Sequence, residues 1–345
     1  MKAIILIIFA LMLNCIFVNA QDLYFSQFDK NPLILNPSNT GFFNGGNRLG
    51  VSYRTQWKNI TTPYVTTSAF YDAQFLKKQP KDKIGLGLVF FNDKSGDVEM
   101  GLTQVSLSFA YSKLLTKENL FLFGFQTGYA QRSFDFYNAT WDNQYDGNTY
   151  NPNSLSNETS FNLNYSYIDY AAGMGWSFRP SNNFRSSTGV ALFHISSPKF
   201  RFSKDIKERL YRKIVVHHKT EIYIEKSPLS YEPAFAYIKQ GVDKQILAGL
   251  MFRFTEEGNS YYSSSLPPTV FSIGAYYRSE NALILILAAR LNYNNFEINY
   301  SYDFNISTIG KATKKQGGME LSLVYTQHSK AKKRVTRSGI PNFFE

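Results

Sequence analysis

Acid–base, nucleophilic or metal chemistry in this chain would have to rest on very few residues. There are four histidines, His194, His217, His218 and His328, and one cysteine, Cys15. His217 and His218 are adjacent, so on a strand they point to opposite faces and serve neither one metal nor one reaction centre. His194 stands beside Ser196 and Ser197, but no G-x-S-x-G elbow frames a nucleophile. Walker A, dinucleotide-binding and H-E-x-x-H patterns are missing. The residues therefore predict a protein without catalytic activity, metal or cofactor, whose work is recognition.

Recognition has better candidates at the two ends. Residues 21–47 hold Asn31-Pro32 and Asn36-Pro37 within six positions, with apolar anchors at Tyr24, Phe25, Phe28, Leu33 and Leu35. Pro restrains the residue before it and removes a ladder donor, so the pairs predict an extended, non-strand segment without helix. Five apolar anchors need burial. The segment is thus expected to pack inside or under the main body as a plug or a docking element. At the other end, residues 328–345 carry Lys330, Lys332, Lys333, Arg334 and Arg337. A solvated tail is one reading. Contact with an acidic partner or lipid head groups is the other. Nucleic acid is a poor partner for an exported protein.

The elements that must position these ends are strands. The chain has 345 residues, a net charge of +11, 17% aromatic and only 18% charged residues, against about 25% charged in soluble domains. Disorder is excluded by the aromatics, and a helical bundle by the abundance of Tyr, Phe, Asn and Thr. Alternation of period two recurs throughout. Leu49, Val51, Tyr53 and Thr55 alternate with Gly50, Ser52, Arg54 and Gln56, and Phe296, Ile298, Tyr300 and Tyr302 with Glu297, Asn299, Ser301 and Asp303. About fourteen such segments, of roughly the 9–11 residues that cross a bilayer as tilted strands, lie between 48 and 327. Sandwich strands are shorter, with a mode of about 5–6 residues. The pattern predicts an all-β, transmembrane antiparallel barrel over 48–327, facing outer-membrane lipid. Inward positions such as Gly85, Gly87, Ser106, Ser108, Gly274 and Tyr276 suit a filled lumen.

Residues 1–20 read as a secretory signal: Met1-Lys2, an apolar run from Ala3 to Phe17, then the small-x-small Val18-Asn19-Ala20. An N-terminal anchor needs about 20 apolar residues, and a lipoprotein signal at Cys15 would follow a smaller residue than Asn14. Even strand number puts both termini on the periplasmic side. Ser133–Asn164 and Ser196–Arg209 then become external loops, and Thr255–Pro268 an unusually long periplasmic connection. Gln316-x-Gly318-x-x-Leu321-x-Leu323 has the form of a barrel-assembly signal in a last strand.

Several of these motifs also carry a resemblance. Phe25-Ser26-Gln27-Phe28, Asn31-Pro32 and Asn36-Pro37, followed by Gly41, resemble the F-S-Q-Y/F, N-P and N-P-A-x-A-G signature of the PorP/SprF family of type IX secretion membrane proteins, with Ser38 and Thr40 in place of alanines. Tyr53-Arg54-x-Gln56-Trp57 is similar to its Y-R-x-Q-W, and Tyr277-Arg278 to its later Y-R. Tyr300-Ser301-Tyr302-Asp303-Phe304 resembles Y-S-Y-D-F. Gly317 to Leu323 resembles G-S-H-E-I-S-L, with Met319 in place of His. The resemblance implies an outer-membrane component of the type IX secretion system, whose partners are periplasmic secretion components and a cargo with a C-terminal sorting domain, such as a gliding adhesin. The rival reading is a passive porin-like channel or small-molecule transporter.

Overall fold

A computed structural model describes residues 24–58, 62–76, 82–96, 100–134, 141–151, 154, 164–199, 209–256, 269–279, 282–291, 295–307, 310 and 314–327. The proposed signal, the basic tail with His328, and residues 257–268 lie outside the described residues.

Alternation becomes fourteen strands: β1 (Asn47–Gln56), β2 (Tyr64–Leu76), β3 (Asp82–Ser95), β4 (Met100–Leu114), β5 (Asn119–Ser133), β6 (Asn164–Ser181), β7 (Phe184–Phe193), β8 (Lys213–Tyr223), β9 (Leu229–Gln240), β10 (Asp243–Glu256), β11 (Thr269–Arg278), β12 (Ala282–Leu291), β13 (Phe296–Asn305) and β14 (Gln316–Gln327). Each pairs antiparallel with its chain neighbours. β14 returns to β1, from Asn47 opposite Gln327 to Gln56 opposite Gly318, and closes the barrel. Closure leaves no unpaired edge, as a spanning sheet requires. No described helix is long and apolar enough to cross a membrane.

The two faces of each strand differ as the alternation demands. Leu49, Val51 and Tyr53 are exposed on the outer wall, while Gly50, Ser52 and Arg54 are shielded inside. On β14, Leu321 and Leu323 point outward between the inward Gly318, Glu320, Ser322 and Val324. An arginine near the bilayer midplane on such a face costs about 2–4 kcal/mol. Leu321→Arg is therefore expected to abolish accumulation of the heat-modifiable, membrane-inserted form on unheated gels. Wild-type levels would place β14 away from lipid.

Several strands outrun the expected bilayer-crossing length. β6 reaches 18 residues and ends at the rim where the chain enters β1, with Ser181 paired to Phe184 of β7 past a register shift. The ends Leu76, Asp82, Leu114, Asn119 and Phe184 share that rim. The facing ends of β5 and β6, and of β7 and β8, share the opposite rim. Between β5 and β6, residues 141–151 fold on themselves: Tyr145 bridges Tyr150, and Gln144 Oε1 accepts from Trp141 N–H.

The stretch before β1 corrects one expectation. Asn31-Pro32 does not bar helix. Pro32–Leu35 forms a single helical turn, α1, with Pro32 at its first position, and Asn31 has ψ 63° rather than an extended value. Proline restricts the residue before it, but its own φ suits the first helical turn and its missing N–H is not needed there. Asn36 does stay extended, at φ −161° and ψ 122°. Its side chain accepts from Ser38 N–H and caps the 3-10 turn Pro37–Asn39.

Candidate functional site

Residues 24–46 run through the lumen. Phe25, Phe28, Leu33 and Leu35 are buried and Tyr24 half-buried. Phe28 and Leu35 join the inward Ala234, Ala236, Ile238, Leu247, Tyr276 and Ile284 in one apolar cluster, while Leu33 packs on Phe70 and Val89. Apolar burial alone would leave this segment free to slide. Its direction and depth are fixed by polar contacts.

The most concentrated of these contacts surrounds Ser26 and Gln27. Glu320 accepts from both backbone amides, Ser26 N–H at 2.7 Å and Gln27 N–H at 3.2 Å. Ser26 Oγ donates to Asp303, at 2.8 Å from Oδ1. Asp303 also receives Arg278 Nη2 at 2.7 Å and Arg54 Nη2 at 3.1 Å. Gln27 Nε2 donates to Ser301 Oγ and to the Glu320 carbonyl. Every one of these side chains is at most 6% exposed. Such charges persist in a shielded interior only when paired. The motifs separated along the sequence thus meet at one point: Ser26 and Gln27 from F-S-Q-F, Arg54 from Y-R-x-Q-W, Arg278 from the later Y-R, Ser301 and Asp303 from Y-S-Y-D-F, and Glu320 from the last strand.

The two Asn-Pro motifs hold the next positions. Asn31 Nδ2 donates to Ser52 Oγ at 3.1 Å, and its Oδ1 accepts from Ser68 Oγ at 2.7 Å. Asn36 Nδ2 lies within 3.1 Å of the Met174 carbonyl and of His217 Nε2. Both asparagines take up inward strand groups that α1 and the following turn leave within reach. Pro32 and Pro37 are buried beside them. Further along, Thr40 Oγ1 meets Ser108 Oγ at 2.7 Å, and Gly41 N–H donates to Asp72 Oδ2 at 2.8 Å while Arg48 clamps the same carboxylate. Gly41 has φ +70°, a left-handed value that favours glycine.

The wall is shaped for this path. Cβ atoms added at Gly85, Gly124 and Gly173 would collide with the Thr40 carbonyl, Ser38 N and Asn36 Oδ1 respectively, and one at Gly189 would stand 2.6 Å from Asn36 Nδ2. Gly124 and Gly173 are cross-strand partners on β5 and β6. These glycines lower the wall along a track that receives residues 36–41.

A second charged group grips the segment nearer the rim of entry. Lys30 Nζ pairs with Glu297 at 2.6 Å. Asp29 pairs with Lys219, which also reaches Glu232, itself 2.7 Å from Arg253. Asp29 is thus compensated by Lys30 and Lys219 together. The lumen is more charged than Gly85, Gly87, Ser106 and Ser108 suggested, and these charges are turned onto the segment.

The histidines are not brought together as a site. His217 binds Asn36, and His218 lies between Thr188 and Thr220. His194 Nδ1 meets Asp169 Oδ2 at 2.9 Å, buried on the lumen side, a pair the sequence reading missed because it depends on the β6–β7 register. Among the proposed assembly-signal positions, Gln316 opens β14 exposed and Gly318 faces inward opposite Gln56.

Known structures share this architecture. A mutant form of the monoaromatic hydrocarbon channel TodX matches 86% of this chain and 93% of its own at 9% identity and TM-score 0.51. A Pseudomonas aeruginosa FadL homologue matches 85% and 93% at 9% identity and TM-score 0.47. No curated protein sequence matches significantly. The family of type IX secretion system membrane proteins PorP/SprF matches residues 17–325. A closed fourteen-stranded barrel with an apolar outer wall, matched over nearly its whole length, places the protein in the bacterial outer membrane: the chain belongs to the PorP/SprF family of type IX secretion system membrane proteins.

Proposed function

We propose that this component of the type IX secretion system works by docking rather than by chemistry or passage. It holds periplasmic secretion machinery, or one cognate surface adhesin of the gliding type with a C-terminal sorting domain, at the outer membrane. The observation that carries this reading is the segment 24–46, fastened across the lumen by buried charges and seated in a track of glycines. A lumen so occupied leaves the rims and external loops as working surfaces. On this reading Phe25, Ser26, Gln27, Phe28, Asn31, Pro32, Asn36, Pro37 and Gly41 form a plug that fills the lumen. Gln316, Gly318, Leu321 and Leu323 hand the last strand to the assembly machinery. The protein is non-enzymatic and needs no cofactor.

Co-purification from the native membrane tests the reading, with a secretion-ring protein or a large adhesin expected in the complex. Planar-bilayer recording of the purified protein is expected to show no steady large current. An isolated barrel with a steady large conductance would instead establish the porin-like alternative. Deleting residues 22–43 behind an intact signal is expected to leave an inserted barrel, because the strand ladder closes without them, and to lower cargo export. Normal export by the deletion protein would reduce the segment to a tether.

A further inference from the structure

The outer wall is not evenly convex. Where β9 to β13 approach the rim of entry, an apolar cleft of about 560 Å3 opens toward lipid. Strand register explains it. Phe254, Phe271, Ala289 and Ile298 stand side by side in one outward row, and Phe252, Ile273, Leu287 and Tyr300 form the next row toward the membrane centre. Ala289 is the one small side chain in its row, so it forms the floor between Phe271 and Ile298. The first row lies two residues inside the strand ends, about 7 Å at the usual rise per residue. Beyond it Phe296 and Tyr325 pack with ring centroids 4.9 Å apart, as an interfacial aromatic girdle does.

We infer that this cleft is a seat for one acyl chain of a phospholipid in the periplasmic leaflet. The bilayer is the phase that covers this wall, and no charged side chain lines the cleft. A hydrocarbon chain on a convex wall is touched from one side, whereas here it is touched from the floor and both flanks, with more dispersion contact. The depth matches the start of the acyl region just inside the girdle. A notch one alanine wide admits a hydrocarbon chain but not a helix about 10 Å across. A second copy would oppose concavity to concavity and leave the space unfilled.

The test is native mass spectrometry of the full chain after exchange into detergent with palmitoyl-oleoyl phosphatidylethanolamine. Wild-type protein is expected to retain one lipid at detergent concentrations that strip the rest. Ala289→Trp fills the floor with an apolar side chain on a lipid-facing surface. It is expected to lower retention about tenfold, the factor given by losing roughly two CH2 contacts. Leu107→Trp, outward on β4 and five strands or more from the cleft, is the control for annular binding and is expected to match wild type. Equal retention by Ala289→Trp, equal loss in both variants, or a wild-type dimer dissolved by Ala289→Trp would each overturn the seat.

Discussion

Gly124→Val combined with Gly173→Val is expected to leave the barrel inserted and heat-modifiable, yet to make an electrically silent protein conduct. The two glycines face each other across β5 and β6, and their missing side chains leave the space taken by Asn36, Pro37 and Ser38. Valine suits a strand better than glycine does, so the ladder itself should not suffer. The overlap falls on the luminal segment, where overpacking costs about 1–3 kcal/mol per site. Residues 36–41 would lift from the wall and open a water path beside β5 to β7. A steady current in planar bilayers and new protease cleavage within 36–41 are the expected readouts. Silent bilayers with normal secretion would show that the segment does not depend on this track.

Asp303→Ala is expected to be the most damaging single change inside the lumen. Asp303 neutralises Arg54 and Arg278 and holds Ser26 Oγ. Removing it leaves two shielded guanidinium groups facing each other, and breaking a buried pair costs about 3–5 kcal/mol. Chemical denaturation followed by loss of heat-modifiability should show a lower midpoint. Asp303→Asn should be intermediate, since it keeps an acceptor for Ser26 but not the charge. Because Glu320 still binds the Ser26 and Gln27 amides, insertion is expected to survive. A midpoint unchanged from wild type would mean that water, not Asp303, compensates the arginines.

The strands were legible because a barrel wall separates lipid from a polar interior at every second residue, and this survives in the one-dimensional sequence. The expected span 48–327 and the expected number of about fourteen agree with fourteen strands from Asn47 to Gln327. The anchors Phe25, Phe28 and Leu33 were legible from burial demand alone. The turn at Pro32–Leu35 was not, since Asn-Pro reports on Asn31 and says little about what Pro32 begins. The meeting of Ser26 with Glu320 could not be read either. The two are 294 positions apart, and only barrel closure brings β14 to β1. Gly124 and Gly173 carry no signal of their own in the sequence. Their role depends on what lies above them.

The residues that grip Ser26 and Gln27 stand on both sides of the seam where the last strand meets the first: Arg54 on β1, Asp303 and Glu320 on β13 and β14. This has a consequence in time. Residues 24–46 precede β1 in the chain, whereas their partner carboxylates arrive with its last strands. Contacts of such sequence separation form late, after the loop-closure entropy has been met. A barrel sealed first would have to admit the segment through a rim already narrowed by strand pairing. The economical order is therefore for Ser26 and Gln27 to lie between the two ends of the sheet as it curls, so that threading and sealing are one kinetic step.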